Sequence, residues 1–369
     1  ICRLENTIQP YPWGSPTAIP ELLGISNPER RPMAEMWMGA HPKAPSRVCL
    51  HDREVPLDIY IADDPTAALG ETTARRYRGR LPFLFKILAA AEPLSIQAHP
   101  TLAQARVGNA REDAEGIPID APNRNYRDDN HKPELICALA PFWGLRGFRP
   151  TEEIRSGFAE LPGKAGQLVL LPRDDAEIVT FFRSLMTLDV SDRSTLVDAA
   201  VARARSAWPN DGEKPKIGDA AARHYWVQRL AQKYPGDVGV LAPLFLHVFS
   251  LSAGEATYQP AGVLHAYLEG VGAELMANSD NVLRGGLTVK HVDLEELLRV
   301  GVFRPETPVV VTGTTQPAES GTCPERLYDA PFEEFSFSQL DVEGACVFRG
   351  ERPLILFCSG GVLTMSARE

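Results

Sequence analysis

Gly254-Glu-Ala-Thr-Tyr-Gln-Pro260-Ala-Gly262-Val-Leu-His265 is the stretch that decides the fold. Gly254 permits a tight turn between strands, and Pro260 with Gly262 forces a second turn. His265 then opens the returning strand, where the alternation of side chains aims its imidazole inward. The segment therefore reads as part of a β-rich unit with a histidine pointing into it.

Working outward, residues 81–88 form an apolar run expected as a buried strand, followed by a turn at Glu92-Pro93 and a second strand over 94–99. Further strands are expected at 244–251, 308–312 and 353–364, and helices at 58–79, 101–115 and 294–299. Between Thr151 and Tyr234 the pattern changes. Thr151-Glu-Glu-Ile154 is a helix start with acidic residues in the first turn, and Ile178, Phe181, Phe182, Leu185 and Leu188 keep helical spacing. Leu196, Ala199, Ala200 and Ala204 do the same, and 208–216 is a loop between helices. The expected organisation is a β-rich domain over 1–150 plus 238–303, a helical insert over 151–237, and a β-rich C-terminal domain over 304–369. The sequence stops soon after Gly360-Gly361, in what reads as the middle of that last unit, so it is expected to be incomplete.

The chain has 369 residues, room for two or three domains with a sizeable core. Its 44% hydrophobic and 23% charged residues place it among folded globular chains. A formal net charge of −10 argues against an extended nucleic-acid surface, though not against an anionic substrate held by a few local cations. Cys2, Cys49, Cys137, Cys323, Cys346 and Cys358 show no CxxC pairing, which speaks against a thiolate metal site or a disulfide framework and for a reduced, cytoplasmic chain. No apolar run reaches the ~20 residues needed to span a bilayer, and no signal segment is visible.

A metal site needs ligands on neighbouring strands. Gln97 and His99 stand at i and i+2, on one face of a strand, and Glu134 follows in Asn130-His-Lys-Pro-Glu134. With His265 these offer two imidazoles, a carboxylate and an amide oxygen, a donor set suited to zinc or another divalent first-row metal. His41, His51, His224, His247 and His291 are expected to be ordinary hydrogen-bonded histidines.

The opening stretch resembles the second cupin motif, G-x5-P-x-G-x-x-H, with Glu269 where an Asn often follows. Longer matches are more specific. Tyr11-Pro-Trp-Gly-Ser15, Ala34-Glu-Met-Trp-Met-Gly39, 81–86, Leu94-Ser-Ile-Gln-Ala-His-Pro100, Asp129-Asn-His-Lys-Pro-Glu134, His265-Ala-Tyr-Leu-Glu-Gly270 and Ser279-Asp-Asn-Val-Leu-Arg-Gly-Gly-Leu-Thr288 are similar to type I phosphomannose isomerase. The resemblance covers about 5–150 and 240–345. It implies a mainly β fold with a helical insert: a jelly-roll-like cupin barrel, an α-helical domain and a second, incomplete cupin-like domain. It also implies one Zn²⁺ per chain held by Gln97, His99, Glu134 and His265. The implied reaction is interconversion of mannose 6-phosphate and fructose 6-phosphate, on a small phosphosugar, by a monomeric enzyme with no nucleic-acid or membrane partner.

Such a reaction moves a proton between C1 and C2, so it needs a base, a stabiliser of oxyanion charge and a holder for the phosphate. Arg284 lies in the family's active-site signature, where a guanidinium suits phosphate or oxyanion. Lys132, two residues before Glu134, is the candidate proton shuttle. Lys86 sits in a buried strand and is a candidate for phosphate or a hydroxyl. Asp280 and Glu274 are candidate acid/base or anchoring groups, Trp13, Glu35 and Tyr267 are expected to shape the sugar pocket, and His131 is a candidate aid to ring opening. Two departures stand out. Gly285 replaces an Ala common in relatives, and Thr101 follows Pro100 where many carry a Lys soon after. Two rival readings remain at this point: a cupin oxygenase with non-haem iron, and a sugar-binding cupin without activity.

Overall fold

The computed structural model describes residues 1–50, 53–210, 212–316, 323–345, 347 and 353–366. His51 and Cys346 lie outside the described residues. The architecture is a β-sheet core flanked by helices.

Ten strands are joined through one long strand, His265–Ala277. Its first half pairs with Phe142–Phe148 and Ile96–Ala98, and Leu246–Leu251 and Leu283–Gly286 extend that side. Its second half pairs with Phe83–Ala90 and Glu134–Ala138, which lead on to Glu35–Gly39, Thr7–Gln9 and Ala256–Gln259. A straight strand of 13 residues would run about 40 Å. Yet His265 Nε2 lies 3.3 Å from a carboxylate oxygen of Glu134, and Glu134 is the register partner of Met276 near the strand's far end. The long strand must therefore turn a corner. Gly270 supplies it with φ 139°, and a Cβ there would sit 2.6 Å from the Phe142 ring.

Register and alternation then sort the side chains. Met36, Met38, Phe85, Ile87, Leu135, Cys137, Ala273 and Leu275 form an apolar core with Ile19, Ile61 and Tyr328. Their strand neighbours point the opposite way, so Lys86 stands across from both Trp37 and Glu274 on the other face. Ten described strands do not close into a ring: Leu246–Leu251 and Thr7–Gln9 end the main path, and Ala256–Gln259 and Leu283–Gly286 end the branches. The expected barrel is thus an open pair of sheet halves sharing one strand.

The helical expectation over 151–234 corresponds to Thr151–Ala159, Ile178–Met186, Val190–Ala207 and Ala222–Lys233. Ile178, Phe181, Phe182 and Leu185 are all buried, in one core with Phe148, Leu145, Ala266 and Leu283 of the sheet. The helices thus cover the sheet half that carries His265.

Some elements differ from expectation. Residues 58–79 form three short helices, Leu57–Asp63, Pro65–Leu69 and Glu71–Arg76, because Asp64 caps a new start at Pro65 and Gly70 takes φ 76°. The run at 244–251 begins with the helix Ala242–Phe245 before becoming a strand, an ambiguity that apolar runs carry intrinsically. At 308–312 only Val311 bridges, to Ala256, since Pro308 has no N–H to give a ladder. Described residues 353–364 carry no strand, because β-forming side chains make one only against an available edge. A three-stranded sheet of Thr314–Gln316, Glu325–Tyr328 and Phe337–Leu340 stands in this region instead. Cys2, Cys49, Cys137 and Cys358 are free, but Cys323 is disulfide-bonded, contrary to the expectation of thiols throughout. No described helix is long and apolar enough to cross a membrane.

Candidate metal centre and active site

Three of the expected ligands converge. His265 opens the long strand, Glu134 opens Glu134–Ala138, and His99 lies just past Ile96–Ala98. One ligand atom from each lies within 4.8 Å of the others, and all three residues are buried. His99 Nε2 is 3.3 Å from Glu134 Oε1, and His265 Nε2 is 3.3 Å from Glu134 Oε2. Gln97 is the register partner of both His265 and Arg284, which places it on the same row of the sheet.

The imidazoles are fixed from behind. His99 Nδ1 donates to the Asn281 carbonyl at 2.8 Å, and His265 Nδ1 donates to the Val263 carbonyl at 2.9 Å. With the proton on Nδ1, each ring presents a bare Nε2 lone pair inward. Among the described residues both Nε2 atoms and Glu134 Oε2 lack a hydrogen-bond partner in spite of their closeness. Burial pushes His99 down to about 4, with Lys132 acting in the same direction, so the ring stays neutral at pH 7. Burial opposes ionisation of Glu134, but Lys132 and His99 outweigh it and hold the carboxyl well below its usual range. Three acceptors facing one another repel unless a cation lies among them. Imidazole, imidazole and carboxylate are a zinc donor set, and Gln97 stands in register with His265 on the neighbouring strand.

Around this centre the charges are tightly organised. Lys132 Nζ is 2.8 Å from Glu134 Oε1. Lys86 Nζ lies 3.1 Å from Glu274 Oε2 and 3.6 Å from Glu35 Oε1, and 5.4 Å from the centre of the Trp37 ring. Burial would strip the proton from Lys86, but the two carboxylates overcome it and hold the ammonium above its ordinary value. Trp37 Nε1 in turn donates to Glu35 Oε2 at 2.7 Å. Burial raises Glu274 and the buried Tyr267 phenol, the latter also through the Glu134 and Glu274 carboxylates. Trp13 packs on the cluster that contains Tyr267.

At the edge of the site Asp280 Oδ2 lies 2.7 Å from Lys43 Nζ and 3.6 Å from His41 Nε2. Burial opposes the Asp280 charge, but Lys43 and His41 prevail and lower its carboxyl. His41, expected to be an ordinary histidine, is pushed down to about 4 by burial, against the pull of Asp280. Arg284 is half-buried, and burial together with Arg127 lowers it. Lys290 is lowered by burial, then by Arg284, Arg127 and Lys43. None of Arg284, Arg127 and Lys290 has an ion pair among the described residues, so this corner is cationic without a counter-charge. His131 is turned elsewhere: its Nε2 lies 2.7 Å from Glu334 Oε1.

Sequence reasoning did not find Arg127, Lys290, Lys43, Trp37 or Asn281. Arg127 and Lys290 carry no local signal, because their significance comes from sharing a corner with Arg284. Nor did it find Gln259, which is fully buried across from Glu134 with both amide atoms unpaired.

Comparison with known proteins agrees with this geometry. Residues 1–151 match the family model of the phosphomannose isomerase type I catalytic domain. The mannose-6-phosphate isomerase of Salmonella typhimurium strain LT2 is 41% identical over 373 residues, spanning 100% of this chain and 90% of the relative. That of Escherichia coli K12 is 41% identical over 371 residues, covering 98% of this chain and 90% of the relative. A crystal structure of mannose 6-phosphate isomerase in a zinc-bound holo form superposes with a TM-score of 0.79 at 40% identity, over 91% of this chain and 82% of that one. A chain related over its whole length at this identity, with a His-Glu-His centre at the meeting of its two sheet halves, belongs to the type I phosphomannose isomerase family.

Proposed function

We propose that this protein is a zinc-dependent isomerase that interconverts mannose 6-phosphate and fructose 6-phosphate. One observation carries the reading: His99 Nε2, His265 Nε2 and Glu134 Oε2, all buried, face each other and none has a hydrogen-bond partner among the described residues. His99, His265 and Glu134 would hold the ion, with Gln97 as the fourth donor. Zinc bound there supplies a Lewis acid that favours negative charge on a nearby substrate oxygen.

The remaining roles fall to this chain's own side chains. Arg284, with Arg127 and Lys290 nearby, takes the phosphate dianion, since none of these three cations has an ion pair among the described residues. Lys132, at the rim of the centre, is the proposed carrier of the proton between C1 and C2: it must first release the proton it holds against Glu134, then takes the C2 proton of the aldose and returns it to C1 of the enediol. Lys86 stays charged between Glu35 and Glu274, so it acts as a hydrogen-bond donor to a sugar hydroxyl and not as a base. Glu35 and Glu274 fix that ammonium, and Trp13 and Tyr267 line the apolar side of the pocket. Asp280, pinned by Lys43, holds the mouth. His131 supports the rim through Glu334, and the proposal gives it no part in the proton path.

The finer architecture belongs to the same proposal. We read the two sheet halves as an opened cupin jelly roll over 1–150 and 238–303, with 151–237 as a helical insert and 304–369 as part of a second cupin-like unit. We read the enzyme as a cytoplasmic monomer acting on a small molecule; the free Cys2, Cys49, Cys137 and Cys358 support the location, and the disulfide at Cys323 weighs against it. A coupled assay of fructose 6-phosphate formation, run with and without chelator, tests the central reading. Chelator-sensitive turnover is the expected result. Oxygen consumption by an iron-loaded protein, or sugar binding without turnover, would replace it with another activity.

A further inference from the structure

Asn281 has no exposed surface, and its side chain is bonded at every position. Its Oδ1 accepts from the backbone N–H groups of Arg127 at 2.7 Å and Asp128 at 3.2 Å. Its Nδ2 donates to the carbonyls of Asp128 and Asn130, both at 2.8 Å. Asp128 answers from the other side: its carboxylate accepts from Ser279 Oγ at 2.8 Å and from the Asp280 N–H at 2.7 Å. The 279–281 and 127–130 segments are thereby locked together. The Asn281 carbonyl, at the centre of this knot, is also the acceptor that holds His99 Nδ1.

We infer that Asn281 is a positioning residue that sets two parts of the site at once. Through its carbonyl it fixes the tautomer and tilt of His99. Through its amide it sets the start of the segment that carries Arg127, Lys132 and Glu134, and it lies three residues from Arg284 on the chain. One buried amide therefore registers a metal ligand against the anion corner, and the inference rests on the isomerase reading. Partners of ligating histidines commonly matter at this level, because a ring free to turn binds its metal less well.

The test uses Asn281→Ala, with Ser279→Ala as a milder second variant that removes only the Ser279 Oγ donation to Asp128 and leaves Asn281 in place. Zinc affinity of the metal-free proteins is measured by chelator competition, His99 tautomers by nitrogen-15 NMR, and turnover with zinc restored. In Asn281→Ala we expect roughly 10-fold weaker zinc binding, since the backbone carbonyl remains but is no longer held in place, with mixed His99 tautomers and a lower kcat. If Asn281→Ala fails to fold, Ser279→Ala decides: a smaller loss of zinc affinity with the same mixing of His99 tautomers supports the inference, and wild-type values for both overturn it. Wild-type zinc affinity and a single His99 tautomer in a folded but less heat-stable Asn281→Ala would also overturn the inference. Absence of chelator-sensitive turnover in the wild type would sink the isomerase reading alone, since affinity and tautomer are read without it.

Discussion

Lys86 and Glu274 face each other in register on adjacent strands, and Nζ of the first lies 3.1 Å from Oε2 of the second. Both are buried, and Glu35 Oε1 is the other carboxylate oxygen near the ammonium, at 3.6 Å. Removing the cation leaves two carboxylates in a dry interior. Lys86→Met should cost about 3–5 kcal/mol, read by urea unfolding at pH 7. Because burial already raises Glu274, the deficit should shrink as pH falls and the carboxylates take up protons. A deficit that does not depend on pH would mean that lost packing, not stranded charge, is responsible.

Loss of a ligand should separate from loss of an anion contact. His265→Ala is expected to abolish zinc binding and turnover together. Arg284→Ala should retain zinc, as metal analysis would show, while kcat/KM for mannose 6-phosphate falls roughly 100-fold or more. Near-normal turnover in Arg284→Ala would remove it from the mechanism.

Acid should loosen the metal-free fold through its buried histidines. His41, His99 and His224 are each pushed down to about 4 in the folded chain, against an ordinary 6.5. Between those values the unfolded state binds more protons, so stability rises with pH through the window and is lost on acidification from about 6.5 toward 4. Asp280, lowered mainly by Lys43 against its burial, works in the same direction, its contribution vanishing at still lower pH. Unfolding free energies of chelated protein at pH 7, 5.5 and 4.5 should therefore decline stepwise, and His41→Gln should make that decline shallower without abolishing it.

Gly108 tests the packing against Tyr126. A Cβ there would sit 2.3 Å from the Tyr126 ring, whose hydroxyl bonds Glu296 at 2.5 Å. Gly108→Ala should lower stability by about 1–3 kcal/mol. Thermal denaturation checks the loss.

How much of this was legible in the sequence depends on whether a feature is local. His265 could be placed because two turns and strand alternation lie within a dozen residues of it. The helical core was legible because Phe181, Phe182 and Leu185 repeat at helical spacing. Gln97 and Glu134 could be joined to the histidines only through the family resemblance, since each alone is an ordinary polar residue. Arg127, Lys290 and Asn281 stayed hidden because their roles exist only after distant segments meet. The strands expected at 308–312 and 353–364 failed for a related reason: pairing requires an available edge, which composition does not record.

The corner at Gly270 has a consequence for motion. Because one unbroken strand supplies a wall to each sheet half, neither wall can swing away without tearing a ladder of backbone bonds on the other. Amide hydrogens along 265–277 should therefore exchange with solvent only in a shared, rare opening, on both sides of the bend at the same rate. The 127–132 segment, held by side chains in place of a ladder, should exchange earlier than that strand.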